Sequence, residues 1–254
     1  MDREPDEAAG AEAVYLSFVA PAFNEAENLP RLVEEVAAAG EAVGRTWEFM
    51  LADDCSEDDS RKVLAELARR FPQLRVVALE ARSGQTAALE AGLAHARGAF
   101  IATLDADLQN DPAEVPRMLE LIADGRADFV NGWRQKRQDN WLRLVSTRIA
   151  NGVRNWLTRE SIHDSACGLK VFRREVAESL KLFNGLHRFL PTLARMNGFA
   201  VVEIPVHHRP RTAGQAKYGV WNRVFKALRD CFAIRWMQSR NLRWRAKVWE
   251  DGDA

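Results

Sequence analysis

The stretch Ala99-Phe100-Ile101-Ala102-Thr103-Leu104-Asp105-Ala106-Asp107-Leu108-Gln109 starts as a short apolar run and ends in two carboxylates one residue apart. A run of this length that stops at polar residues reads as a buried strand, Ala99 to Leu104, closing at Asp105. Three earlier segments have the same form: Val14 to Ala20, stopping at Pro21; Trp47 to Ala52, running into Asp53-Asp54-Cys55-Ser56; and Leu74 to Leu79. The intervening segments have helical spacing. Asn24 is placed to cap a helix from near Glu25 that carries Leu29, Leu32, Val33 and Val36. A second helix carries Val63, Leu64 and Leu67, and a third runs from about Gln85 to Ala96. Strand and helix alternating through short loops predict an α/β fold with a mostly parallel central sheet flanked by helices. Ligands of such sheets bind beyond the carboxyl ends of the strands. The polar groups at those ends are Asn24 and Glu25, Asp53 and Asp54, Arg82 to Gln85, and Asp105 and Asp107, converging on one crevice.

The chain has 254 residues, long enough to bury a full core, and its 47% hydrophobic and 28% charged content excludes a disordered chain. Its net charge of zero hides an asymmetry: Met1 to Gly125 has 11 basic and 25 acidic residues, whereas Arg126 to Trp249 has 25 basic and 8 acidic. The second half is therefore expected to meet something anionic. Cys55, Cys167 and Cys231 are far apart and odd in number, which argues against a disulfide scaffold or a zinc site. The acidic start does not resemble a secretory signal, and no apolar run approaches membrane-spanning length. The expectation is a cytoplasmic protein attached peripherally to the cytoplasmic membrane. Residues 1–13, rich in Ala, Glu and Asp, read as a disordered tail.

Asp105 and Asp107 at a strand end supply hard oxygen ligands that suit Mg²⁺ or Mn²⁺ shared with a diphosphate. In isolation such a pair is more often a turn cap and a solvated side chain; its position after the fourth strand reverses that balance toward the metal. Asp53 and Asp54 follow the second strand, where a carboxylate accepts hydrogen bonds from a ribose or base edge, or where Asp54 or Ser56 caps the next helix. Neither GxGxxG nor GxxxxGK[ST] is present. A nucleotide would be held by carboxylates and a metal instead of a glycine nest.

After Phe129 the texture changes. Asn140 to Thr158 reads as a helix with Trp141, Val145, Ile149, Val153 and Trp156 on one face, either a core helix or one lying on a membrane. Gly168 to Phe172 and Ala200 to Val206 read as strands. Trp221 to Trp249 is a basic helical segment with Trp221, Phe225, Leu228, Phe232 and Trp236 along a stripe, the pattern of a helix in an anionic membrane surface or of a homo-oligomer contact. No nucleic-acid motif accompanies these basic residues, so no nucleic-acid partner is expected.

Val19-Ala20-Pro21-Ala22-Phe23-Asn24-Glu25, Ala52-Asp53-Asp54-Cys55-Ser56, Ala81-Arg82-Ser83-Gly84-Gln85 and Leu104 through Pro112 resemble the successive motifs of family 2 glycosyltransferases with the GT-A fold. Gly132-Trp133-Arg134, Asp164 through Arg174, His187-Arg188-Phe189-Leu190-Pro191 and Arg209 through Tyr218 resemble the later motifs of its polyprenyl-phosphate branch, the dolichol-phosphate mannose synthase-like and undecaprenyl-phosphate sugar transferases. The resemblance implies a GT-A domain over 14–219 and a basic amphipathic helix and tail over 220–254. It implies an inverting, metal-dependent transfer of a sugar from a nucleotide donor, a UDP-sugar in preference to GDP-mannose, to polyprenyl phosphate. It assigns Asp105, Asp107 and Gln109 to the metal and donor diphosphate. Pro21, Phe23, Glu25, Asp53 and Asp54, with Gln85, go to the nucleotide, Arg134 and Arg148 to the acceptor phosphate, and Lys217 to the phosphates. Cys55 stands where the family has Gly, which is expected to tighten the nucleoside pocket. Asp164 is either a base toward a hydroxyl acceptor or a group that fixes its own loop. A glycan hydroxyl acceptor and a non-catalytic subunit are the remaining alternatives.

Overall fold

The apolar residues of the first strand alternate in the side they face, and that alternation generates two cores. The computed structural model describes residues 13–134, 152, 155–158, 160–209 and 220–242, with side chains from 228 onward in the last helix. The chain runs β1 (Leu16–Ala22), α1 (Leu29–Val43), β2 (Trp47–Asp53), α2 (Ser60–Arg70), β3 (Leu74–Ala78), α3 (Gln85–His95), β4 (Phe100–Thr103), α4 (Val115–Ala123) and β5 (Phe129–Trp133). It continues with β6 (Lys170–Arg173), α5 (Arg174–Ser179), α6 (Leu190–Met196), β7 (Val201–Pro205) and α7 (Val220–Arg240). Leu16, Phe18, Ala20, Phe49 and Leu51 pack under α1, α2 and α4 through Leu32, Leu64 and Met118. Val19, Met50, Ile101, Phe129 and Phe172 face the other way, toward Leu89 of α3, Val176 of α5 and Leu190 of α6. Successive strand side chains point to opposite faces, so one sheet serves two apolar layers.

The seven strands are ordered β3-β2-β1-β4-β6-β5-β7. All described pairings are parallel except those of β6, which runs antiparallel to both β4 and β5. The chain moves outward from β1 to β3 and then returns to place β4 on the other side of β1. That reversal opens a crevice between the carboxyl ends of β1 and β4, the usual ligand position in open α/β sheets.

Three local expectations are corrected. The first strand does not stop at Pro21. It continues to Ala22, because pairing with β4 ends at Val19 while pairing with β2 persists through Pro21↔Ala52, so this part of the strand has a neighbour on one side only. Asn24 is not a helix cap: it sits at φ 53°, its Oδ1 accepts from Glu57 N at 2.8 Å, and α1 starts after Asn28. Neither Asp54 nor Ser56 caps α2, which follows Asp59, with Asp58 Oδ1 accepting from Ser60 N at 3.0 Å. The expected helix from 140 to 158 lies outside the described residues except at 152 and 155–158, which are helical.

Candidate active site

Four strand-end loops build a cavity of about 320 Å³, lined by Pro21, Phe23, Glu25, Asp54, Arg82, Gln85, Asp105 and Asp107 among others. It lies at the reversal of strand order between β1 and β4. The backbone around it is forced into uncommon shapes. The three described non-glycine residues with positive φ are Asn24 (53°), Cys55 (59°) and Leu108 (59°), one in each of the loops after β1, β2 and β4. Such conformations cost free energy and cluster where a loop must aim its side chains.

Asp54 organises the cavity wall. Its carboxylate accepts from Ser83 N at 2.7 Å and from Gly84 N at 2.9 Å, tying the loop after β3 to the end of β2. This brings Arg82 and Gln85 inward. Arg82 lies over the Phe23 ring, 4.1 Å from its centroid. Gln85 Nε2 donates to Asp105 Oδ1 at 3.0 Å. Asp105 N donates to Asn110 Oδ1 at 3.0 Å. Behind Asp105 lies Gly168: a Cβ there would stand 2.2 Å from Asp105 Oδ2, so only glycine lets the carboxylate keep its place.

The expected site residues divide as follows. Pro21, Phe23, Glu25, Asp54, Gln85, Asp105 and Asp107 share the cavity. Asp53 does not: it is fully buried, accepting from Ser56 N at 3.2 Å and from Arg61 Nε at 3.1 Å, so it holds its own loop. Gln109 also lies off the cavity wall, its backbone N on Asp107 Oδ1 at 3.2 Å and its Nε2 reaching Arg209 O at 3.5 Å. Cys55 does not line the cavity; its Sγ is 3.9 Å from Glu80 O. Arg148 and Lys217 lie outside the described residues.

Arg134 is held by Asp164. Its Nε and Nη2 donate to the two carboxylate oxygens at 2.6 and 2.8 Å, leaving Nη1 without a partner among the described residues. Burial opposes the guanidinium charge, but Asp164 outweighs it and raises the pKa. Beside it Lys170, fully buried, donates to Cys167 O, and burial lowers its pKa against the attraction of Cys167, Asp105 and Asp164. Burial pushes the Cys167 thiol up, so it stays protonated. Arg134 thus places buried positive charge within electrostatic reach of Asp105, while burial works against the charge of Lys170 beside it.

His187 meets the start of α3 on the other side. Thr86 Oγ1 is 2.7 Å from its Nδ1 and also accepts from Gly185 N at 3.0 Å. Arg188 Nε donates to His187 Nε2 at 3.3 Å, which assigns the proton to Nδ1. Burial, with Arg188 and Lys170 nearby, lowers the imidazole pKa to about 3, so the ring is neutral. Sequence reasoning did not single out Thr86, and it left Lys170 and Arg82 without roles. A lysine opening the apolar strand β6 was the available signal for Lys170.

Among the described residues no three His, Cys, Asp or Glu side chains form a metal-binding group. The donor set still fits Mg²⁺ or Mn²⁺, which proteins hold by one or two carboxylates together with substrate phosphates. Asp105 and Asp107 supply that much.

Residues 17–181 match Glycosyl transferase family 2. The chain belongs to this family. A dodecaprenyl-phosphate galacturonate synthase of Rhizobium johnstonii is 36% identical over 230 residues, covering 88% of this chain and 67% of the relative. An undecaprenyl-phosphate 4-deoxy-4-formamido-L-arabinose transferase of Edwardsiella ictaluri is 39% identical over 208 residues, covering 81% and 63%. The chain therefore spans about two thirds of the length of these curated relatives. Among solved structures, glucosyl-3-phosphoglycerate synthase of Mycobacterium tuberculosis with Mn²⁺, UDP and phosphoglyceric acid superposes with a TM-score of 0.66 at 20% identity, covering 89% of this chain and 78% of that one. A mannosyltransferase of Pyrobaculum calidifontis with GDP-Man and Mn²⁺ gives 0.65 at 19%, covering 95% and 69%. The fold of this family 2 chain is thus that of the GT-A transferases, as its motifs led one to expect.

Proposed function

We propose that the protein transfers a sugar, with inversion, from a nucleotide-sugar to polyprenyl phosphate at the cytoplasmic face of the membrane. The observation that carries this reading is the pairing of an acidic cavity, holding Asp105 and Asp107, with the Arg134–Asp164 ion pair and with Lys170, which pairs with Thr103 at the end of β4 that leads into Asp105. The activities named for the Rhizobium and Edwardsiella relatives, transfer to dodecaprenyl and undecaprenyl phosphate, support the acceptor. The donor is taken as a UDP-sugar, in line with the UDP of the mycobacterial neighbour; the GDP-Man of the Pyrobaculum neighbour is the competing choice.

Asp105 and Asp107 would hold Mg²⁺ or Mn²⁺, with Gln109 beside them, and the Mn²⁺ in both neighbours supports a divalent ion. The ion supplies neutralising charge to the departing diphosphate. Phe23, with Arg82 stacked on it, offers a planar wall for the nucleoside, and Glu25 and Asp54 offer acceptors. A phosphate monoester carries about −1.5 to −2 charges near neutrality, so its oxygen attacks without a general base. It needs positive charge to approach an anionic donor, and the Nη1 edge of Arg134, unpartnered among the described residues, provides one. Arg148 and Lys217 are assigned to the same phosphates by resemblance. Both Asp164 oxygens bind Arg134, which disfavours the hydroxyl-acceptor reading with Asp164 as base.

The outer face of α7 supports attachment to the membrane. Cys231 and Ile234 pack against Leu186, Phe189, Leu193 and Met196, whereas Phe232 and Trp236, one turn apart on the opposite face, are 62% and 65% exposed. Arg229 and Arg240 flank them, and no described helix is long and apolar enough to cross a membrane. An aromatic face with cations beside it suits an anionic interface.

The test is release of nucleoside diphosphate from a panel of UDP- and GDP-sugars, with and without polyprenyl phosphate, in Mg²⁺, Mn²⁺ or EDTA. Lipid-dependent release that disappears in Asp107→Ala and in EDTA is expected. Turnover with glycan acceptors alone would replace the acceptor, and donor binding without any turnover would point to a non-catalytic subunit.

A further inference from the structure

Resting on that reading of Arg134, we propose that Glu203 on the edge strand β7 is a positioning residue for the acceptor site. It holds the backbone of residues 163 and 164 so that Asp164 aims the Arg134 guanidinium.

The arrangement is built from the sheet outward. Asn131 of β5 and Glu203 of β7 are register partners. Glu203 Oε2 accepts from His163 N and His163 Nδ1, each at 2.9 Å, and Oε1 accepts from Asp164 N at 3.2 Å and Asn131 Nδ2 at 3.1 Å. Asn131 Nδ2 also donates to Asp164 O at 3.0 Å. The backbone of Asp164 is therefore gripped at its N–H by Glu203 and at its carbonyl by Asn131. The Asp164 carboxylate in turn grips two nitrogens of Arg134. Trp133, the neighbour of Arg134, stacks on the His163 ring at 4.4 Å between centroids, closing the loop on its outer side.

Two features mark this as a device for direction instead of one more stabilising pair. First, Asn131 is fully buried and its Oδ1 has no hydrogen-bond partner among the described residues, so the amide turns its two N–H donors toward Glu203 Oε1, Asp164 O and Gly132 O, which share them, at the cost of an orphaned oxygen. Second, the chain of contacts ends on the Nη1 edge of Arg134, which has no partner among the described residues. Outer groups that orient a binding residue typically account for about 10–100-fold of affinity or activity at metal sites, and the same logic applies to an arginine fork.

Glu203→Gln replaces one acceptor oxygen by an NH₂ that must face existing N–H donors. In the full chain, with polyprenyl phosphate in detergent, kcat/KM for the acceptor is expected to fall about tenfold in this variant. The KM for the nucleotide-sugar, and nucleoside diphosphate binding with Mn²⁺ by calorimetry, are expected to stay within about twofold, since neither depends on the Glu203 grip. Because both residues act through one guanidinium, Glu203→Gln in an Arg134→Ala background adds no further loss. Should Glu203→Gln fail to fold, Asn131→Ala loosens the same turn from its carbonyl side and carries the same expectation. Equal losses toward donor and acceptor, or losses that multiply with Arg134→Ala, would overturn the positioning role while leaving the acceptor reading intact. A wild-type chain with no polyprenyl-phosphate-dependent turnover would overturn the acceptor reading, and this inference with it.

Discussion

Acidification is expected to destabilise the protein through His187 before any carboxylate network gives way. The ring is held neutral, with its pKa lowered from 6.5 to about 3 by burial and by Arg188 and Lys170. The unfolded chain gains a proton on this residue as pH falls below 6.5, while the folded chain does not. Unfolding then takes up a proton, so stability declines from pH 6.5 downward until the folded ring itself titrates near 3. With those two values the loss from this residue is close to zero at about pH 7.5 and about 2 kcal/mol at about pH 5. Glu48 does not obscure the window. Burial would raise its pKa, but hydrogen bonds from Arg97, Ser17 and Arg75 hold it below 4.5, and it stays ionised down to that point. The measurement is urea unfolding of wild type and His187→Asn at the two pH values. The amide of Asn can reproduce the Nδ1 bond to Thr86 but does not titrate. The variant loses some stability at neutral pH, and its decline on acidification is about 2 kcal/mol smaller than that of wild type. An identical decline in both proteins would refute the argument, because it would mean that His187 takes up its proton in the folded state.

Other consequences follow from single contacts. Gly168→Ala drives a methyl into the Asp105 carboxylate, so metal-dependent binding of nucleoside diphosphate by calorimetry should weaken about 10–100-fold while the far-UV spectrum is unchanged. Cys55→Gly removes a side chain from a φ of 59° and, since Sγ does not line the cavity, should stabilise the protein by about 0.5–1 kcal/mol in urea with donor affinity retained. Glu48 is buried and accepts from Arg97 N at 2.6 Å, Ser17 Oγ at 2.7 Å and Arg75 Nη1 at 2.9 Å. Glu48→Gln should therefore cost about 3 kcal/mol at neutral pH. Because the folded pKa of Glu48 is lowered, that difference is present above 4.5 and shrinks as pH falls through the folded value. Replacing Phe232 and Trp236 by Ser should reduce co-sedimentation with anionic vesicles by tenfold or more without lowering the melting temperature, since both rings face away from the core.

The first four strands and three helices were legible because their apolar periods are clean and turn residues separate them. The location of the site followed from the same pattern: Glu25, Asp54, Gln85, Asp105 and Asp107 share one cavity because each lies just beyond a parallel strand. Adjacent residues were harder to separate. Asp53 and Asp54 look alike in sequence, yet strand alternation sends one into the loop core and the other to the backbone of Ser83 and Gly84. Asn24 satisfies the rule for a helix cap, yet its left-handed turn aims the side chain at Glu57 N, and α1 begins after Asn28 with no side-chain cap. The Arg134–Asp164 pair and its Glu203 support join segments separated by 30 and 39 residues. No local period reports such contacts.

The charge asymmetry acquires a physical meaning through β6. A fully parallel continuation would keep the acidic first half and the basic second half on separate parts of the sheet. Instead β6 inserts antiparallel between β4 and β5, pairing Lys170 with Thr103 on one side and Asn131 on the other. Its start therefore lies at the end of β4 that leads into Asp105, and Gly168 brings the incoming chain against that carboxylate. One reversed strand thus delivers a lysine, and through Asp164 an arginine, to the edge of the acidic crevice. Buried charges of one sign are costly unless opposite charge accompanies them. Arg134 on Asp164 meets that requirement before any substrate arrives. On the proposed function, the same arrangement leaves the cavity carboxylates for the donor and the Nη1 edge of Arg134, unpartnered among the described residues, for the acceptor. If the protein works as proposed, two phosphate-bearing substrates can be brought together there only if each meets a cation: a divalent ion for one, arginine for the other. Reversing the charge of Arg134 by Arg134→Glu should therefore abolish acceptor turnover and leave donor binding, whereas Asp107→Ala should abolish both.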